Sequence, residues 1–167
     1  MRIAALIFDV DGTLADTEEI HRQAFNAAFA AARVPWEWSP GRYAELLAVS
    51  GGKERIACHI ASLTLPPGES DAIRARVAEI HRDKTRIYAE RIRAGRLPLR
   101  PGVERVLREA RAQGLALAIA TTTTMENVET LLEAALGREA CGWFDVIVAG
   151  DEVERKKPFP DAYQAAL

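Results

Sequence analysis

Hydrophobic and polar positions along the chain follow two alternating periods. Residues 3–8 (Ile-Ala-Ala-Leu-Ile-Phe) are continuously apolar, which predicts a strand buried on both faces. Asp16, with Glu19 three residues on, predicts a capped helix start, and the helix continues through EEIHRQAFNAAFAAA. The stretch PWEWSPG breaks it. Short helices are expected around YAELLA and KERIACHIASL, with LPPGES as the next break. One long helix is expected over DAIRARVAEIHRDKTRIYAERIRAG, stopped by Gly95. Along it Ile73, Val77, Ile80, Lys84 and Ile87 step by four and three, so they share a face. Lys84 therefore sits in the middle of an apolar stripe.

The pattern changes at LPLRPG. GVERVLREARAQG reads as an amphipathic helix ending at Gly114, and LALAIA as a second buried strand with TTTT at its C-terminal end. ENVETLLEAALG reads as a helix, FDVIVAG as a third strand, KKPFPD as a loop, and Asp161 as the start of a further helix. Strand and helix alternate at both ends of the chain around a long all-helical stretch. That order predicts an α/β fold, a parallel Rossmann-like sheet of three strands with covered faces. The expected core comprises residues 1–15 and 96–167, with residues 16–95 as an inserted α-helical cap. No internal repeat or low-complexity segment interrupts this picture.

Composition changes it little. The 167 residues are 49% hydrophobic and 28% charged, with a formal net charge of −2, so nothing marks nucleic acid as a partner. The apolar run before Asp9 is too short to span a membrane or to serve as a leader core. The two cysteines, Cys58 and Cys141, do not make a disulfide framework, and a cytoplasmic setting is expected.

Candidate chemistry starts with Asp9 and Asp11. In an open α/β sheet, ligands bind beyond the carboxyl ends of the strands, where this pair lies. Extended residues two apart face the same way, so both carboxylates are expected at one small site, with Gly12 allowing the chain to turn. A plain Asp-Gly turn is the structural alternative, but two aspartates at the mouth of a buried strand favour function. An EF-hand loop fails on spacing, because Thr13, Leu14 and Ile20 stand where its amide or carboxylate, glycine and glutamate belong. SGGKERI sets Gly51 and Gly52 before a helix start, with Lys53 and Arg55 in its first turn. Helix starts bind anions and cations normally avoid them, so these residues point to an anionic ligand. Lys84 is read as either a snorkelling lysine or a charge aimed at the same cleft. Glu18 and His21, one turn apart on the first predicted helix, are either a solvated pair or contacts to a sugar hydroxyl.

The stretch DVDGT resembles the first motif of the haloacid dehalogenase superfamily, mostly Mg²⁺-dependent phosphoryl-transfer enzymes. The resemblance implies that Asp9 is a nucleophile forming an aspartyl-phosphate and that Asp11 is the general acid and base. It also implies Mg²⁺ held by Asp9 and the backbone carbonyl of Asp11. Thr121 after LALAIA matches the second motif, with the Thr122 backbone N–H beside it. Lys157 in KKPFPD matches the third, an ammonium holding Asp9 and the transferred phosphate together. The helical insert after the first motif is similar to the small-cap class. Within it, ADTEEIHRQAFN, PWEW, SGGKERIA, IHRDKT and ATTTTMENVE resemble the CbbY-type sugar phosphatases, which dephosphorylate the Rubisco inhibitor xylulose 1,5-bisphosphate and so serve the Calvin cycle. A bisphosphate suits the cations: one phosphate on Asp9, Thr121 and Lys157, the other on Lys53, Arg55 and Lys84.

The chain departs from the family in one respect. The fourth motif, an acidic pair beyond the Lys-Pro lysine that completes the Mg²⁺ site, has no match, since Asp151 and Glu152 precede Lys157. A C-terminally truncated phosphatase is expected, monomeric at full length, weak in Mg²⁺ binding as it stands, and prone to self-association through the edge of residues 3–8. The alternatives are a β-phosphoglucomutase-like mutase, a phosphoglycolate phosphatase, or an inactive fragment that binds phosphosugars.

Overall fold

The computed structural model describes residues 3–95 and 97–167; the first two residues and the expected core boundary at residue 96 lie outside the described residues. Strands β1 (Ala5–Phe8), β2 (Ala116–Ala120) and β3 (Val146–Val148) form one parallel sheet in that order, with β2 central. Helices α1 (Glu18–Ala31), α2 (Pro40–Leu46), α3 (Gly52–Ala61), α4 (Pro67–Ala75) and α5 (Val77–Ala94) follow β1. Helix α6 (Val103–Ala112) leads into β2, α7 (Met125–Leu136) and a 3-10 turn (Ala140–Trp143) lead into β3, and α8 (Asp161–Ala165) comes last. The fold is the expected α/β arrangement. No described helix is long and apolar enough to cross a membrane.

The sheet is covered on both faces. Leu6, Phe8, Leu117 and Ile119 pack with Leu107 of α6 and Val128, Leu131 and Leu132 of α7. On the opposite face Ile7, Ala120 and Val148 meet Ala162 of α8. β1 departs from expectation. It starts at Ala5, Ile3 is 66% exposed, and no residue of the strand is fully buried. The reason is its place: β2 has strands on either side and is buried over four of its five residues, whereas β1 is an edge strand.

The helices between β1 and α6 have their own core. Phe25, Phe29, Trp38 and Tyr43 form an aromatic nest with ring centroids 4.8–6.1 Å apart. The Asn26 amide fastens the PWEW loop, donating to the Trp38 carbonyl at 3.0 Å and accepting its N–H at 2.8 Å. Helix α1 packs on α5, and α5 packs on α7, which joins this helical layer to the sheet layer.

Two local expectations fail. The long helix is two helices, α4 and α5, parted at Arg76, whose φ of −100° and ψ of 0° leave the helical region. The guanidinium of Arg76 donates to the Ala32 carbonyl at 3.0 Å, so a tertiary contact holds the break where no Gly or Pro marks it. Asp16 does not cap α1. It pairs with Arg100 at 3.0 Å, and the helix begins two residues later behind Thr17.

Candidate active site

Asp9 follows directly on β1, and Val10 to Ala15 then fold into a tight loop. The Leu14 N–H bonds back to Val10, Gly12 takes a φ of +73°, and the Gly12 N–H reaches Ala15. The loop turns Asp9 and Asp11 into one cavity of about 830 Å³ at the carboxyl ends of the strands, between the sheet and α1, α3 and α5. Glu18, His21, Gly52, Lys53, Arg55, Lys84 and Thr122 line the same cavity. Lys157 reaches Asp9, Nζ to Oδ1, at 3.1 Å. Thr121 differs: it is buried behind the wall, its N–H continues the β2–β3 ladder to Val148, and its hydroxyl accepts the Thr123 N–H at 3.2 Å.

Thr122 is held by β3. The Gly150 N–H donates to the Thr123 carbonyl at 2.8 Å, and a Cβ added to Gly150 would stand 2.2 Å from the Thr122 carbonyl oxygen. Only glycine allows that approach, which fixes the loop after β2 against the end of β3.

Asp11 points toward α1. Its Oδ1 accepts from the Thr17 hydroxyl at 2.6 Å and lies 2.9 Å from His21 Nε2. His21 Nδ1 lies 2.7 Å from Lys84 Nζ. An ammonium carries only donors, so Nδ1 accepts and Nε2–H donates to Asp11. Tyr88 stacks flat on the imidazole, with centroids 4.1 Å apart and planes 7° from parallel. Burial opposes ionisation of Asp11, but the hydrogen bonds and charges of His21, Thr17 and Lys84 outweigh it and hold the carboxyl well below the usual carboxylate range. Burial and the charge of Lys84 push His21 down, which keeps it neutral. Burial lowers Lys84 from 10.5 to about 8, although Asp11 pulls the other way. Glu18 is pushed up by burial and by the Asp11 charge.

Several of these side chains also meet neighbours in the protein. Lys84 is 4% exposed and does not snorkel; its ammonium sits over the rings of Phe25 and Tyr88 at 4.9 and 5.2 Å. His21 has both ring nitrogens engaged. The Arg55 guanidinium lines the cavity and uses three of its five N–H groups on the carbonyls of Leu46 and Val49 near the end of α2 and on the Tyr43 hydroxyl. Glu54 stands in the first turn of α3. Its carboxylate pairs with Lys156 at 2.7 Å. The sequence reading missed Thr17, Glu54, His81 and Lys156. A signal existed for two of them, because His81 lies one helical turn before Lys84 and Lys156 stands beside Lys157.

A family model for haloacid dehalogenase-like hydrolases matches residues 3–167. The chain belongs to that family, and it is accordingly an enzyme of the phosphoric monoester hydrolase class. Within the family it groups with the CbbY proteins. It is 51% identical to protein CbbY of Rhodobacter capsulatus over 167 residues, covering all of this chain and 71% of that one. The crystal structure of CbbY from Rhodobacter sphaeroides in complex with phosphate superposes with a TM-score of 0.90 at 47% identity, covering 99% of this chain and 72% of that one. A mutant of that protein in complex with xylulose 1,5-bisphosphate matches with the same TM-score at 46% identity, with the same coverage.

Proposed function

We propose that the chain hydrolyses a phosphorylated sugar, a sugar bisphosphate such as xylulose 1,5-bisphosphate, through an aspartyl-phosphate on Asp9. The observation that carries this reading is a single cavity with a carboxylate–lysine pair at the strand ends and further cations on the facing helices. The bisphosphate bound by the related CbbY structure is the ligand chemistry this polarity suits. Residues 16–95 act as the cap over the site.

An Asp9 carboxylate oxygen attacks phosphorus, and the bond to the sugar oxygen breaks. Lys157 offsets charge on Asp9 and on the transferred group, and Thr121 orders the loop that presents the Thr122 N–H. Water then attacks the phosphorus, gives a proton to Asp11, which stands in the ionised, base form, and displaces the Asp9 carboxylate, so that phosphate leaves. The proton that Asp11 takes from water in one turnover is the one it gives to the departing sugar oxygen in the next. Lys53 and Lys84 attract the far phosphate, Arg55 fixes the wall beside it, and Glu18 meets a sugar hydroxyl. His21 holds Asp11 and leaves direct sugar contact to Glu18.

Mg²⁺ is the proposed cofactor on family grounds. Asp9 and the Asp11 carbonyl are oxygen donors of the right kind. However, no group of three or more His, Cys, Asp or Glu among the described residues could hold a metal ion. Two protein oxygens would leave the rest of the octahedral set to waters and the substrate's phosphate, and no step above runs through the metal. The unpaired cysteines agree with a cytoplasmic setting. Phosphate release from xylulose 1,5-bisphosphate, compared with glucose 1-phosphate and phosphoglycolate, tests the reading. Preference for either monophosphate would replace it.

A further inference from the structure

Of the three histidines, two are spoken for. His21 is held through both nitrogens, and His59 meets Arg42 at 3.4 Å and packs edge-on to Trp36 and Trp38. His81 is different. It lines the cavity from α5 and is 9% exposed, and neither of its ring nitrogens has a hydrogen-bond partner among the described residues. Its ring edge presses on the first turn of α3: a Cβ added to Gly52 would stand 2.3 Å from Nε2 and 2.6 Å from Cδ2. The backbone N–H groups at that helix start lie at the same end.

The groups facing His81 come from three elements. Lys84 is on its own helix, Lys53 and Glu54 are on α3, and Lys156 is in the loop after β3. Burial and the three ammonium groups push the ring from 6.5 down to about 3, with Glu54 opposing. The imidazole is therefore neutral throughout the working pH range and offers one N–H donor and one lone pair. The ring nitrogens are not sealed away from solvent, so a ligand in the cavity can meet them. A neutral donor also adds a hydrogen bond to an anion site without adding a fourth positive charge.

We infer that His81 is a substrate-binding residue that donates a hydrogen bond to the second phosphate of the sugar bisphosphate, at the start of α3 beside Lys53. This rests on the sugar bisphosphate reading above, and it names a selectivity residue which that reading does not require.

The test measures binding by calorimetry on the full chain carrying Asp9→Asn, so that turnover plays no part. The ligands are xylulose 1,5-bisphosphate and a xylulose monophosphate carrying only the transferred phosphate. His81→Phe keeps a ring against Gly52 and removes the donor, and His81→Gln restores an N–H. The expected result is a loss of about tenfold or more in bisphosphate affinity for His81→Phe, a change under about twofold for the monophosphate, and partial recovery for His81→Gln. His81→Ala, read beside a thermal melt, replaces the Phe variant should that one not fold. Equal losses on both ligands, unchanged bisphosphate affinity, or failure of both variants to fold would make His81 a packing residue and overturn the inference. Absence of any bisphosphate binding to the Asp9→Asn chain with His81 intact would overturn the functional reading, and this inference with it.

Discussion

Replacing Lys84 by Met tests what a buried charge costs and what it is for. Met has similar length and fits between Phe25 and Tyr88. The fall of Lys84 from 10.5 to about 8 means that holding the ammonium in its 4%-exposed position costs roughly 3 kcal/mol at neutral pH. Removing it also removes the hydrogen bond to His21, a loss of about 1 kcal/mol, while the pull of Asp11 is already contained in the net fall. The net expectation is a gain of about 2 kcal/mol, or a rise of about 4–8 °C in melting temperature. Function should move the other way. Losing a charge-assisted contact to the far phosphate raises KM for a sugar bisphosphate by about 10–100-fold, with far less effect on p-nitrophenyl phosphate. Thermal melts beside steady-state phosphate release read both quantities. A lower melting temperature with unchanged kcat/KM on the bisphosphate would show that Lys84 is a packing residue and refute the reasoning.

Acid should destabilise the fold. Below pH 6.5 the unfolded chain takes up a proton that folded His81 refuses down to about 3, so stability is full above 6.5 and falls by about 1.4 kcal/mol per pH unit through that window, with His21 adding in the same direction. Urea melts at pH 7.5 and 5 check this, and equal midpoints would contradict it. Gly150→Ala should displace the Thr122 carbonyl and lower kcat by about tenfold or more with little change in secondary structure by circular dichroism, and normal kcat would show that the loop after β2 tolerates the shift. The outer edge of β1 has no partner strand among the described residues, so light scattering should show concentration-dependent association of the 167-residue chain, and a strict monomer at high concentration would mean that the edge is protected.

Much of the fold is legible because its signals are local. The apolar runs at residues 5–8 and 116–120 are strands, and the stripe through Ile80 and Lys84 lies on one buried face of α5. Asp9 and Asp11 reach one cavity because a loop stands where the strand ends. What escaped reading depends on contacts between distant residues. The break at Arg76 is held by the Ala32 carbonyl 44 residues away, and Glu54 meets Lys156 across 102 residues. Arg55 read as an anion binder from its place in a first turn, and the sequence did not show that the end of α2 folds back to share its donors. Asp16 read as a cap, while the hydroxyl nearer the helix, Thr17, serves Asp11. The polar spacing was visible in the sequence, but which partner each polar group meets is decided by tertiary packing.

The central claim is that phosphate passes through Asp9. Acid quench of the protein during turnover of a sugar bisphosphate, followed by peptide mass analysis, tests it most directly. The account predicts a phosphate adduct on the peptide containing Asp9 that decays on chase and is absent from Asp9→Asn. Continued phosphate release by Asp9→Asn, or turnover with the adduct on another residue, would contradict it.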